Sequence, residues 1–157
     1  MGKKGYFSGL FTKINNLVLK NEKIRNLKSI YYYIDGVILK FIKKPPKEEN
    51  SKKKVIIVYN LALGDAAMFN CALKNIREIY PREKYEITIA CQKGLNKIYE
   101  ATNLFDNVLS FNFTQATVNL KERKKLYKEL RKVKYNILLD PVGIEDCSTN
   151  ILVSRAI

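Results

Sequence analysis

Residues 55–81, VIIVYNLALGDAAMFNCALKNIREIYP, decide how the chain folds. The first five, VIIVY, are a continuous apolar and largely β-branched run, the pattern of a strand buried on both faces. Residues 65–80 then read as a helix, stopped by Pro81. Three more apolar runs follow: ITIAC (87–91), VLSF (108–111) and NILLD (136–140). Between the first two of these, GLNKIYEA (94–101) predicts a short helix. Between the last two, residues 119–134 predict a strongly charged helix with Leu126, Leu130 and Val133 as its apolar stripe. The rhythm is β-α-β-α-β-α-β. It predicts an α/β fold, a parallel sheet with flanking helices and right-handed crossovers. Residues 144–157 read as the start of one more helix, and the expectation is an open sheet with its last edge exposed, an unfinished domain.

Upstream of the first strand the character is different. PPKEENSKKK (45–54) predicts a linker: two prolines end whatever helix precedes them, and the rest is charged and polar. Residues 6–43 predict two amphipathic helices. Phe7, Leu10, Phe11, Ile14, Leu17 and Val18 form one stripe; Ile24, Leu27, Tyr31, Ile34, Ile38 and Phe41 form the other. Lysines rim both. The whole chain carries 29 Lys+Arg against 15 Asp+Glu, net +14. Residues 1–54 hold 14 basic and 4 acidic side chains, net +10, while residues 55–157 hold 15 and 11, net +4. The basicity belongs mainly to the extension, residues 1–44, and points that segment at an anionic partner. Stripes with aromatics rimmed by Lys suit an anionic bilayer surface, through residues 6–44. A helical hairpin packed on the domain is the second reading. Nucleic acid is third and is not expected, because Arg25 is the lone arginine among those 14 cations.

Composition closes several functions. With no histidine, the chain holds no His-based triad, His metal site or imidazole base. Cys71, Cys91 and Cys147 are odd in number and share no CxxC spacing, so they read as reduced, mostly buried thiols of a cytosolic protein. No apolar run reaches the ~18–20 residues of a membrane span. Phe7–Val18 is interrupted by Thr12, Lys13, Asn15 and Asn16, unlike a secretory signal.

In open parallel sheets, ligands sit beyond the carboxyl ends of the strands. The first loop there is Asn60-Leu61-Ala62-Leu63-Gly64-Asp65. Gly64 permits a tight turn or positive φ. Asp65 stands where the next helix begins, either as its cap or as a functional carboxylate, at even weight. A phosphate-binding loop needs several glycines whose backbone N–H groups reach the anion. Here one glycine is followed by a carboxylate, which repels phosphate but suits the proton of an uncharged hydroxyl.

The stretch VIIVYNLALGDAAMFNCALKNIREIYP, with YNILLDPVG (135–143) downstream, resembles the heptosyltransferase-like glycosyltransferases, glycosyltransferase family 9. That family opens with a strand, a loop ending in Leu/Met-Gly-Asp, and a helix closing near Tyr-Pro, and has a later strand followed by Asp-x-x-Gly. The resemblance covers residues 55–157. It implies a partial Rossmann-like domain, the acceptor side of a GT-B fold, with the nucleotide-sugar domain missing. It further implies inverting transfer from a donor such as ADP-heptose to a lipopolysaccharide-core or other cell-surface saccharide, without metal or other cofactor. Asp65 falls on the family's general base, which takes the acceptor hydroxyl's proton as that oxygen attacks the anomeric carbon. Asn60, Leu63, Gly64, Asp140 and Gly143 fall on its substrate loops. Asn60, Leu61 and Ala62 replace the usual cation and hydroxyl residue, and Pro141 and Val142 separate Asp140 from Gly143.

Asp140 either contacts the acceptor or caps the next helix. Glu145 and Asp146 read as a solvated turn, not a metal site, and KERKKLYKELRKVK (121–134) as the solvated face of a crossover helix. Tyr31-Tyr32-Tyr33 reads as packing. The expected function is thus a glycosyltransferase half that acts on a lipid-linked saccharide, peripheral on the inner face of the bacterial cytoplasmic membrane. The alternative is a non-catalytic, membrane-associated Rossmann-like binding module.

Overall fold

A computed structural model describes residues 34–45, 52–60, 63–141 and 150–157 of the chain. Two units separate, Met1–Phe41 and Ile42–Ile157. In the first, residues 34–40 are helical, inside the second predicted amphipathic segment. Phe41, expected to close that stripe, lies past the helix end and is 81% exposed. Residues 6–33, including the first stripe and Tyr31 to Tyr33, lie outside the described residues.

The second unit is the parallel α/β sheet that the sequence predicts. Its strands are β1 (Lys53–Tyr59), β2 (Tyr85–Gln92), β3 (Asn107–Phe111) and β4 (Ile137–Leu139), in the order β3-β2-β1-β4, all parallel. Between β1 and β2 run α1 (Leu63–Ala72), a 3-10 turn (Leu73–Asn75) and α2 (Ile76–Ile79). Helix α3 (Asn96–Ala101) joins β2 to β3, α4 (Phe113–Val118) and α5 (Leu120–Leu130) join β3 to β4, and α6 (Asn150–Ala156) follows. This is a Rossmann-like arrangement. Strand β1 starts at Lys53, two residues inside the predicted linker, because Lys53 and Lys54 pair with Tyr85 and Glu86.

Side chains alternate across a strand, so the two faces of β1 make two half-cores. Val55, Ile57 and Tyr59 pair in register with Ile87, Ile89 and Cys91, and pack under Ala66 and Leu73 and against Tyr99 and Phe105. Ile56 and Val58 face the other way, as do Thr88 and Ala90. That side is the layer of Phe113, Ala116, Leu126, Tyr127, Leu130, Leu152 and Val153, all buried, with α6 touching both α5 and β1. Each fully buried Ile, Val or Leu contributes about 1.5–3 kcal/mol.

Three departures from expectation have local causes. Residues 113–118 form a helix that periodicity did not predict. Asn112 caps it by accepting from the Gln115 N–H at 3.0 Å, and Phe113 and Ala116 bury one short stripe. Arg123, inside the stretch expected to be a solvated face, is 4% exposed; its guanidinium donates to the carbonyls of Ala116 and Thr117 at 2.8 and 2.6 Å, closing the end of α4. Cys71 is exposed on α1, not buried, because that helix buries little beyond Ala66. Cys91 is buried as expected, and Cys147 lies outside the described residues.

An ion cluster closes the amino-terminal edge of the sheet. The Asp106 carboxylate accepts from the Ile87 N–H at 2.7 Å, from Arg77 at 2.9 Å and from Arg82 at 3.1 Å. The same two arginines donate to the carbonyls of Leu104 and Asn103. Asn103 has φ 53°, the left-handed conformation that ends α3. Burial pushes the Asp106 carboxyl up, but the Ile87 N–H, Arg77 and Arg82 outweigh it and hold it below the usual carboxylate range. A depressed carboxyl stabilises the fold above its unfolded pKa, and that contribution is lost as pH falls through the folded value. Asp106→Ala should therefore cost about 1.5–3 kcal/mol at neutral pH. In parallel denaturant titrations the gap from wild type should narrow below about pH 4. A gap that widened on acidification would contradict the assignment.

Candidate functional site

The strand order places a switch point at β1. Strands β2 and β3 lie on one side of it and β4 on the other: the connection leaving β1 runs to β2, whereas the crossover from β3 returns past β1 to β4. Ile57 pairs with Leu139, so Asp140 follows at the level of Val58, and Asn60 extends two residues farther along β1. The predicted Asn60 and Asp140 thus stand at the same end of two hydrogen-bonded strands. Both are half-buried, and each makes an interaction within the chain.

Leu63, Gly64 and Asp65 are the first three residues of α1 and all are exposed, Leu63 at 61%. Gly64 does not adopt positive φ; it lies within the helix, and a Cβ there would meet no atom within 4 Å. The predicted tight turn is therefore not made by this glycine, because the helix has already begun at Leu63. Asp65 sits in the first turn, where the helix dipole favours negative charge. Its carboxylate takes no hydrogen bond or ion pair from the described residues, so the cap reading finds no support there. Leu61, Ala62, Val142, Gly143, Glu145 and Asp146 lie outside the described residues, so Gly143 cannot be placed at the site.

Tyr59 is the residue that sequence reasoning passed over. It closes the apolar run of β1, and its hydroxyl donates to the Asp65 backbone carbonyl at 2.8 Å. Its ring stacks on Phe69, one turn along α1, with centroids 3.9 Å apart and planes 4° from parallel. Burial first, and the Asp65 charge second, push the Tyr59 hydroxyl up, so it stays protonated and remains a donor. The one available signal was its spacing: an aromatic six residues before Asp65 and ten before Phe69.

Below the loop, the end of β2 is inert. Cys91 stands beside Tyr59 in register, and burial, with Glu100 adding and a backbone hydrogen bond opposing, pushes its thiol up to about 11. It is not a thiolate nucleophile. The hydroxyl of Tyr99 is buried without a hydrogen-bond partner among the described residues, and burial raises its pKa as well. Among the described residues, no group of three His, Cys, Asp or Glu side chains is placed to hold a metal, and no helix is long and apolar enough to cross a membrane.

No protein-family model, curated protein or solved structure matches the chain. The chemistry available is that of the candidate residues themselves: one exposed carboxylate in the first turn of α1, whose backbone Tyr59 holds, and two half-buried polar groups at the ends of β1 and β4. Such a set can accept a proton from a neutral hydroxyl and hydrogen-bond its neighbours.

Tyr59→Phe keeps the stack and removes the hydroxyl, so it should cost about 0.5–1.5 kcal/mol. Amide exchange should quicken in the first turn of α1 and not in β2. Equal quickening throughout the sheet would show that Tyr59 is simply a core residue.

Proposed function

We propose that residues 55–157 are the acceptor-side domain of a heptosyltransferase-like glycosyltransferase, with Asp65 as general base. The observation that carries this reading is the exposed Asp65 carboxylate on the first turn after β1, at the switch point of a Rossmann-like sheet. An acceptor sugar lying over the β1 and β4 ends would find Asn60 and Asp140 as hydrogen-bonding groups, and the Leu63–Gly64 surface as an uncharged wall. As the acceptor oxygen attacks the anomeric carbon, Asp65 takes the hydroxyl proton. The bond from that carbon to the phosphate oxygen breaks, and the nucleoside diphosphate leaves with the electron pair. In this reading the donor, a nucleotide sugar such as ADP-heptose, is held by a second Rossmann-like domain. No metal takes part in the proposed transfer.

The acceptor class follows from the loop. With Asn60 and no cation among the described loop residues, the domain suits neutral saccharide hydroxyls, as in a lipopolysaccharide core or another cell-surface glycan. Such acceptors are lipid-linked, and the basic extension, residues 6–44, would hold the protein peripherally on the inner face of the bacterial cytoplasmic membrane. Nucleic acid is not part of this reading.

The test is transfer itself. With the chain joined to a donor-binding partner domain, Asp65→Ala should lower turnover at least ~100-fold, the usual span of a lost general base. Acceptor binding, followed by NMR shifts at Asn60 and Asp140, should persist. Near-normal turnover by the variant would end the role assigned to Asp65. Acceptor binding without transfer in the wild type would favour a non-catalytic binding module.

A further inference from the structure

The outer face of α5 carries a ridge of lysines. At about 100° per residue, Lys121, Lys125 and Lys128 fall within an arc of about 60°, with Lys124 on its flank. All four are exposed. Arg123, Leu126, Tyr127 and Leu130, the buried residues of the same helix, occupy the opposite side. None of the four lysines forms an ion pair among the described residues, whereas the nearby Glu129 is taken by Lys132 at 2.6 Å. They stand at three- and four-residue spacings from one another, where like charges repel and where a glutamate would have stabilised the helix. Glu122 and Glu129, three and four residues from Lys125, border the arc on the flank opposite Lys124, and no carboxylate falls within the arc itself.

We propose that this ridge is a docking surface for an anionic lipid bilayer, distinct from the basic extension. The inference deepens the membrane part of the proposed function and is independent of the role of Asp65. Charge complementarity carries it. Over the ~10 Å from Lys121 to Lys128 the ridge is straight and offers four ammonium groups to a layer of headgroups. Lysine, a compact hydrated point charge on a flexible stem, suits such a diffuse layer. Nucleic-acid readers use the planar fork of arginine and stacking aromatics. The helix's own arginine is instead engaged with the carbonyls of α4, and its tyrosine is buried.

The experiment uses the full chain with phosphatidylcholine vesicles, with and without phosphatidylglycerol, in co-sedimentation at low and high salt. Wild type should bind the anionic vesicles alone, and less at high salt. The triple variant K121Q/K125Q/K128Q should partition about 100-fold more weakly, about fivefold per lysine, with an unchanged circular-dichroism melt. A companion variant, K13Q/K20Q/K23Q/K28Q, separates the two surfaces. If it alone loses binding, the ridge is not a bilayer contact, although the extension is. If the ridge variant alone loses binding, the extension's role fails and the ridge stands. Wild type that ignores anionic vesicles overturns both. A short DNA duplex that strips wild type from vesicles, and is itself held through the same three lysines, overturns the ridge in favour of nucleic acid.

Discussion

Everything in the second unit follows from β1 having no wet face. Val55 to Val58 are at most 1% exposed and Tyr59 is 6% exposed. A strand dry on both faces needs a helical layer above and another below, and parallel neighbours can be reached only by crossovers that supply those layers. The odd-numbered residues draw in α1 and α3; the even-numbered ones face the layer of α4, α5 and α6. Because β2 and β4 flank the same strand on opposite sides, the strand order reverses its direction of growth at β1. The constraint that builds the core therefore also fixes where the candidate site lies.

Asp106 and Asp65, at opposite ends of this sheet, are held in opposite ways. Asp106, at the amino-terminal edge, is held by one backbone N–H and two arginines. A carboxylate whose role is structural looks like this: its lone pairs are filled and its charge is countered. At Asp65 the fold grips the backbone, through the Tyr59 hydroxyl on its carbonyl, and leaves the carboxylate exposed. Fixing the main chain while leaving the side chain outward gives a charged group a defined position without neutralising it. That is what a proton acceptor for an external hydroxyl requires.

The strands and their parallel order were legible because continuous β-branched runs separated by helical periods admit few other arrangements. Their ends were less so. Lys53 and Lys54 look like linker, yet backbone pairing with β2 and the Lys54 N–H bond to the Asn136 side chain at 2.8 Å extend β1 through them. Helix α4 was invisible because six residues with two buried side chains carry no periodicity; its caps, not its stripe, define it. At the site, Asn60, Asp65 and Asp140 could be placed from motif and strand ends. The grip of Tyr59 could not, since an aromatic ending an apolar run reads as core whatever its hydroxyl reaches. Gly64 was misread for a related reason: a glycine before Asp suggests a turn, and only the helix start at Leu63 removes the need for one.

The net charge of the domain conceals a division between its two cation types. All five arginines of residues 55–157 are engaged within the chain: Arg77 and Arg82 on Asp106 and on carbonyls, Arg123 on α4, Arg131 on the carbonyls of Ala156 and Ile42, and Arg155 also. The guanidinium fork can close a helix end and pair with a carboxylate at once, so it is suited to joining elements. Arg82 is still partly exposed, so lysine carries most, not all, of the outward charge. Residues 1–54 have the same bias, with one arginine among 14 cations. Lysine charge displayed outward acts on anionic surfaces over about a Debye length. Under the proposed function, lysine would serve the contact with an anionic surface, and the uncharged and acidic groups at the end of β1 would serve the acceptor.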